Sequence, residues 1–277
     1  MNSSCTININ GSLLALDEPV VMGILNVTPD SFYPSSRVNE GNLVERAKGM
    51  IEAGARILDV GACSTRPGAA FASQEEELRS LHAALELLDR ELPEAVVSVD
   101  TFRGEVALEC AREHNVSIIN DVSGYDWDNR MFAAVCELRL PYVLTHSPSA
   151  PGGAVEYEHF VPGVMKHLAE KMWQLHQEGV ADIIIDPGFG FGKSLEQNYE
   201  LFGSMSELSL LEAPLLVGIS RKSMITRLLG IDAASALPGT VALNMAALDR
   251  GARILRVHDV QEAVHVVELW KAIKCNI

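Results

Sequence analysis

Val20-Val21-Met22-Gly23-Ile24-Leu25-Asn26 is an almost unbroken apolar run that ends on an amide. Alternating apolar and polar residues mark a strand with one face in water, whereas a continuous run marks a strand buried on both faces, as in a parallel sheet. Seven further short runs follow: Arg56–Gly61, Val96–Asp100, Ser117–Asn120, Tyr142–His146, Asp182–Asp186, Leu215–Ile219 and Ala252–Val257. Between them apolar residues recur at helical spacing. Leu78, Leu81, Leu85 and Leu88 share a face behind the capping-box pattern Ser73-x-x-Glu76. Val164, Leu168, Met172 and Leu175 form a second stripe closed by Gly179, and Val260, Val264 and Val267 a third, entered through Asp259-x-x-Glu262. Strand and helix alternate eight times. The α/β class follows, and within it a closed (β/α)₈ TIM barrel rather than an open sheet of about five or six strands. Ahead of the first run, Asn10-Gly11 between Thr6–Asn8 and Ser12–Leu16 predicts a short N-terminal β-hairpin with a type I′ turn, placed to plug the bottom of the barrel. No linker, low-complexity tract or charge shift divides the chain, so residues 1–277 read as a single domain.

The charge balance narrows the function. Lys+Arg number 22 against 37 Asp+Glu, a net charge of −15, which argues against a partner held through its phosphate backbone, because such binding rests on clustered Lys and Arg. At 48% hydrophobic and 21% charged the chain has the composition of a globular protein. No apolar run reaches the roughly 20 residues a membrane span needs. The start, Met1 to Cys5, has neither a basic patch nor a long apolar stretch. These features lead to the expectation of a soluble, cytoplasmic protein with no nucleic-acid or membrane partner. The five cysteines, at 5, 63, 110, 136 and 275, show no C-x-x-C spacing and are expected as thiols.

In a barrel of this kind the loops after the strands form the working face, so polar residues at strand ends carry functional weight. They fall at every one of the eight ends: Asn26, Asp59 with Thr65 and Arg66, Asp100, Asn120 with Asp121, Thr145 with His146, Asp186, Ser220 to Ser223 around Lys222, and Arg256 with His258. Asn26, Thr65, Arg66, Arg256 and His258 offer neutral and cationic donors suited to a pyrophosphate, the arginines through forked contacts. Asp59, Asp100, Asn120 and Asp186 suit a heterocycle rich in N–H groups, and Lys222 stands between the two sets. Any one strand-end aspartate also fits a helix N-cap, but so many together do not. Six of the eight histidines, His82, His114, His159, His167, His176 and His265, are read as surface residues. Gly188-Phe189-Gly190-Phe191-Gly192-Lys193-Ser194 is not a phosphate-binding P-loop, since G-x-x-x-x-G-K-[ST] needs glycine where Pro187 stands. It is read as a loop at the barrel mouth in which Phe189 or Phe191 packs against a ring.

The motifs Met22 to Phe32 (MGILNVTPDSF), Ser64 to Gly68 (STRPG), Ser98-Val99-Asp100, Ile119 to Gly124 (INDVSG), Asp186 to Lys193 (DPGFGFGK), Gly218 to Ser223 (GISRKS) and Arg256-Val257-His258 resemble, in that order, those of the dihydropteroate synthases. The resemblance runs from about Val20 to His258. It implies condensation of 6-hydroxymethyl-7,8-dihydropterin pyrophosphate with p-aminobenzoate, assisted by Mg²⁺, in a homodimer. It implies that Asp59, Asp100, Asn120, Asp186, Lys222 and Arg256 hold the pterin. Asn26, Thr65, Arg66, Arg256 and His258 would take the pyrophosphate, with Asn26 also a Mg²⁺ ligand. Phe32, Thr65, Pro67, Phe191, Lys222 and Ser223 would line the p-aminobenzoate pocket, which in this family is also the sulfonamide site. Asp100, Lys222, Arg66 and Arg256 would carry the chemistry. Two stretches depart from the family pattern: Tyr33-Pro34-Ser35-Ser36 replaces the usual Ser-Asp-Gly-Gly, and Thr145-His146 replaces Met-His. A pterin-dependent methyltransferase on the same barrel is the alternative enzyme, although it would have no pyrophosphate for Arg66, Arg256 and His258 to hold. A non-catalytic pterin-binding paralogue is the alternative outside enzymes.

Overall fold

The computed structural model describes residues 5–27, 37–63 and 71–274, with the side chains of 37–41 outside the description. It begins with an antiparallel hairpin of β1 (Thr6–Ile9) and β2 (Ser12–Ala15). Asn10 and Gly11 stand at φ +48° and +89°, the two left-handed residues a type I′ turn requires. Strand and helix then alternate as predicted: β3 (Val20–Asn26), α1 (Arg37–Glu52), β4 (Ile57–Gly61), α2 (Gln74–Glu91), β5 (Val97–Asp100), α3 (Gly104–Glu113), β6 (Val116–Asp121), α4 (Met131–Leu138), β7 (Tyr142–Thr145), α5 (Phe160–Gln177), β8 (Ile183–Asp186), α6 (Leu195–Gly203), β9 (Leu215–Val217), α7 (Ser223–Leu229), α8 (Leu237–Asp249), β10 (Ala252–Val257) and α9 (Val260–Lys274). A 3₁₀ segment at Met205–Leu211 lies between α6 and β9, and a short one at Ala234–Ala236 between α7 and α8. Strands β3 to β10 pair in parallel in sequence order, and β10 pairs back onto β3, closing an eight-stranded barrel.

The side chains sort by the two-residue period of the strands. Outward residues such as Val21, Leu25, Leu58, Val60, Val99, Ile119 and Leu255 meet the helices in one large core. Inward residues Val20, Met22, Ile57, Ile118, Val143, Ile184, Leu216 and Ile254 form a second, separate core, completed by Ile7, Ile9 and Leu16 of the hairpin and its exit. The hairpin is therefore the barrel's floor. It is fastened by Asn8 N–H to Asp182 Oδ2 (3.1 Å) and by Asn10 Nδ2 to Asn115 Oδ1 and Ser117 Oγ (2.9 and 3.2 Å). Burying one such Ile or Leu side chain contributes about 1.5–3 kcal/mol relative to leaving it in water.

Helix starts follow the sequence in part. The Ser73/Glu76 capping box is present in full, and Gly179 takes φ +86° just beyond α5. The Asp259-x-x-Glu262 pattern is not a box, because the Asp259 carboxylate is taken by Arg221, through Nε at 2.9 Å and Nη2 at 2.8 Å. Cys5, Cys63, Cys110 and Cys136 are free thiols, as expected. Of the six histidines read as surface residues, His82, His114 and His167 are instead half-buried.

Candidate active site

Two residues beyond the inward apolar layer, the same inward phase of the same strands turns polar. Ile57 is followed by Asp59, Ile118 by Asn120, Val143 by Thr145, Ile184 by Asp186 and Ile254 by Arg256. On β5, Asp100 stands in register with Asn120 of β6 and with Gly61 of β4. The barrel floor and the polar layer are thus made by one periodicity.

At the centre lies Arg256. Its Nε donates to Asp59 Oδ2 at 2.6 Å and its Nη2 to Asp100 Oδ2 at 2.5 Å, and Asn120 Nδ2 donates to the same Asp59 oxygen at 3.0 Å. Asp59 is 0% exposed, while the Asp100 and Arg256 side chains are 14% and 17% exposed, so the cluster opens toward one end only. Asp59 Oδ1 and Thr145 Oγ1 have no protein hydrogen-bond partner. These two orphaned oxygens lie in the layer where a ligand rich in N–H groups would be read. Thr145 stands in register with Asp186, which places the hydroxyl of the altered β7 end inside the ring.

Burial and like charge set the protonation of this layer. Burial pushes the Asp100 carboxyl up to about 7 against the pull of Arg256, with Asp59 adding to the rise. Asp186 is also raised by burial, opposed by Lys222 and by the Gly188 N–H that its Oδ1 accepts at 2.8 Å. Burial lowers the Lys222 ammonium to about 8, opposed by Asp186. For Arg256 burial works against the charge, but Asp59 and Asp100 outweigh it and hold the guanidinium protonated.

The loops after β8 and β9 meet above this layer. Lys222 Nζ donates to Phe189 O at 2.7 Å and lies 4.7 Å from the centre of the Phe191 ring. Phe189 is fully buried against Phe202, so of the two loop phenylalanines Phe191 is the one at the mouth. Lys193, to which the sequence reading gave no role, fastens the loop by donating to His146 O, Gly188 O and Phe191 O at 3.0, 2.8 and 3.2 Å. Gly188 has φ +69°, and a Cβ there would collide with His146 O, so this turn admits only glycine. Arg221, also given no role from sequence, has φ +55° and ties the β9 loop to Asp259 and to the carbonyls of Ala233 and Ala234. That clamp sets the backbone from which Lys222 projects. Both lie inside motifs legible in the sequence, but their part in fixing the loops rests on His146 and Asp259, partners distant along the chain.

At the rim, Asn26 is the exposed last residue of β3, Ser223 is exposed at the start of α7, and His258 is exposed with Nδ1 3.0 Å from Ser220 Oγ. Asp59, Asp100, Asn120, Asp186, Lys222 and Arg256 are brought together at one end of the barrel. Phe32, Thr65, Arg66, Pro67 and the variant stretch Tyr33–Ser36 lie outside the described residues. Two strand-end residues face away from the ring. Asp121 accepts from Tyr142 Oη (2.6 Å) and from the N–H groups of Ser123 and Tyr125 (both 2.7 Å), a structural role. His146 is fully buried against Tyr157 and His167, and burial takes its imidazole down to about 2.

A closed parallel barrel with an acidic and cationic ring at the strand ends defines a (β/α)₈ enzyme scaffold. The family model described as pterin binding enzyme matches residues 22–258. The dihydropteroate synthase of Escherichia coli (strain K12) is 41% identical over 268 residues, covering 95% of this chain and 94% of that protein. The solved Xanthomonas albilineans dihydropteroate synthase with 4-aminobenzoic acid superposes with a TM-score of 0.89 at 38% identity, covering 98% of this chain and 99% of that one. A Yersinia pestis dihydropteroate synthase with a sulfonamide drug complex gives 0.89 at 35% identity, covering 98% and 100%. The chain belongs to the pterin-binding enzymes and, within them, to the dihydropteroate synthase family.

Proposed function

We propose that this chain joins 6-hydroxymethyl-7,8-dihydropterin pyrophosphate to p-aminobenzoate, giving 7,8-dihydropteroate and pyrophosphate. The observation that carries the reading is the convergence of Asp59, Asp100, Asn120, Asp186, Lys222 and Arg256 on one inward layer above an apolar floor. Asp100, Asp186 and Asn120, together with the orphaned Asp59 Oδ1, match a pterin ring that presents several N–H groups, and Lys222 donates to its acceptor side. The apolar floor stops the ring from sinking further.

In the reaction the C–O bond between the pterin methylene and pyrophosphate breaks, the arylamine nitrogen bonds to that carbon, and its proton leaves to solvent. An arylamine is already a nucleophile, so the protein's task is to stabilise charge on the departing pyrophosphate and on the pterin methylene. Asp100 as a carboxylate favours positive charge on the pterin. Asn26 and His258 at the rim, together with Thr65 and Arg66, receive the pyrophosphate, and Arg256 contributes Nη1, the nitrogen its ion pairs with Asp59 and Asp100 leave over. Phe191, Lys222 and Ser223, together with Phe32, Thr65 and Pro67, are assigned to p-aminobenzoate, the Phe191 ring and the Lys222 cation supplying one apolar and one charged wall for an aromatic carboxylate.

The residues fit Mg²⁺. Asn26 offers a neutral, exposed oxygen at the rim, which suits a hard cation that keeps water and phosphate oxygens as its other ligands. When bound, the ion takes up negative charge on the leaving pyrophosphate. Residues 1–277 as one domain, the cytoplasmic setting and the homodimer belong to the same proposal, the last supported by exposed Leu228 and Leu229 on α7 and Leu269 and Ile273 on α9.

The test is pyrophosphate release by the purified protein with the pterin pyrophosphate and Mg²⁺, with and without p-aminobenzoate. Release that depends on p-aminobenzoate, with dihydropteroate formed, is expected. Tight pterin binding without product would overturn the reading in favour of a binding paralogue or a methyltransferase.

A further inference from the structure

Outside the barrel, α2 and the C-terminal end of α3 bring two imidazoles together, their rings tilted by 49° and meeting through their nitrogens. His82 Nδ1 and His114 Nε2 stand 2.8 Å apart, and Glu113 Oε2 is 3.7 Å from His82 Nδ1. Three ligand atoms, one from each of these residues, lie within 4.8 Å of one another, the one His/Glu group of this kind among the described residues. Because α3 runs back from the end of β5 toward the start of β6, Glu113 and His114 sit at the floor end of the barrel, opposite the mouth.

The other nitrogen of each ring is occupied by a carboxylate. His82 Nε2 lies 3.2 Å from Glu109 Oε1, and His114 Nδ1 lies 2.8 Å from Asp89 Oδ2. An ionised carboxylate only accepts, so each neutral imidazole turns its single N–H toward its carboxylate. His82 Nδ1 and His114 Nε2 are then two lone pairs pointed at each other. Lone pairs at that separation repel, and the arrangement is stable only with a positive species against both: a shared proton or a metal ion. The outer carboxylates are the orientation device that metal-binding histidines use. Glu113 supplies an anionic third ligand, and its 3.7 Å pair with His82 is its one ion pair among the described residues.

We propose that His82, Glu113 and His114 bind a first-row divalent transition ion, with zinc the best match to two imidazoles and a carboxylate and with solvent as fourth ligand. Tetrahedral bonds of about 2.0–2.1 Å set the two nitrogens about 3.3 Å apart, so a small opening of the present 2.8 Å suffices. The ion would tie α2 to the end of α3. It is separate from the Mg²⁺ expected at Asn26, which has oxygen chemistry and lies at the other end of the strands.

Metal-free protein, prepared by dialysis against a chelator, would be titrated with Zn²⁺ by calorimetry and with Co²⁺ by visible absorption. One equivalent of Zn²⁺ is expected to bind, and Co²⁺ to give the intense bands of a low-coordinate site. His82→Ala and His114→Ala should remove that equivalent, and Glu109→Gln should weaken it about 10–100-fold. Glu113→Gln, a change at a largely exposed side chain, keeps the test open should the histidine variants fail to fold, and should also weaken Zn²⁺ binding by at least about 10-fold. Dihydropteroate formation with Mg²⁺ should be unchanged in every variant, which separates failure of this site from failure of the catalytic reading. Absence of a saturable Zn²⁺ equivalent, with the pair taking up a proton only, would overturn the proposal. So would Zn²⁺ binding that survives all four substitutions.

Discussion

The lower and upper halves of the barrel interior are built by the same strands, the same inward phase and the same two-residue step, yet they do opposite work. Below, Met22, Ile57, Ile118, Val143, Ile184, Leu216 and Ile254 meet the hairpin isoleucines in a dry cluster. Above, Asp59, Asp100, Asn120, Asp186 and Arg256 crowd charges together in a layer where burial holds Asp100 and Asp186 partly against ionisation. The first arrangement stabilises the fold and binds nothing. The second costs stability, because buried like charges repel, and becomes favourable when a ligand completes its hydrogen bonds. Stability and function are therefore separated by about 6–7 Å along each strand, two residues of rise.

That separation makes its own tests. Ile184→Ala, below the line, should cost about 2–5 kcal/mol of unfolding free energy in a denaturant titration and leave the kcat of the folded protein near wild type. A large loss of kcat at full stability would break the division. Lys222→Ala, above it, and Arg66→Ala should each lower turnover by at least about 10²-fold with little change in the unfolding midpoint. Near wild-type rates in either variant would remove that residue from the machinery.

Asp100→Asn should weaken pterin pyrophosphate binding in calorimetry with the fold intact, and it should change the pH dependence. With its carboxyl raised to about 7 from an ordinary 3.8, Asp100 carries a proton at pH 6, so kcat/KM should rise with pH through about 7 in the wild type and lose that limb in the variant. The same shift means that the folded state binds this proton more tightly than the unfolded chain. Stability should then fall as pH rises from about 4 to 7, a slope that Asn removes and that melting curves across that range would detect. The smallest effect belongs to neither half. Ser73→Ala breaks the capping box of α2 and should cost about 1 kcal/mol in melting experiments, with no effect on rate.

The barrel is legible in the sequence because its strands are continuous β-branched runs, and the bounds read for β3 and β10 are those observed. The site is legible for the same reason, since a polar residue ending an apolar run is conspicuous. Phase then discriminates between neighbours. Asn120, two residues after inward Ile118, faces the ring, whereas Asp121 faces outward to Tyr142, a distinction the strand period alone predicts. What stays hidden depends on partners distant in the chain. Arg221 reaches Asp259 across 38 residues, and Lys193 reaches the carbonyl of His146 across 47. His82 and His114, 32 residues apart on different helices, carry no local pattern that sets them apart from surface histidines.

The hairpin that floors the barrel also imposes an order on synthesis. Ile7 and Ile9 are made before the rest of the inner cluster that covers them, which is finished by Ile254, and the barrel closes only when β10 pairs with β3. At about 5–20 residues per second, a nascent chain carries those two isoleucines without their full cover for roughly ten seconds to a minute. For that interval the hairpin lacks the cover of the inner cluster, and the emergence of β10 is what ends its exposure.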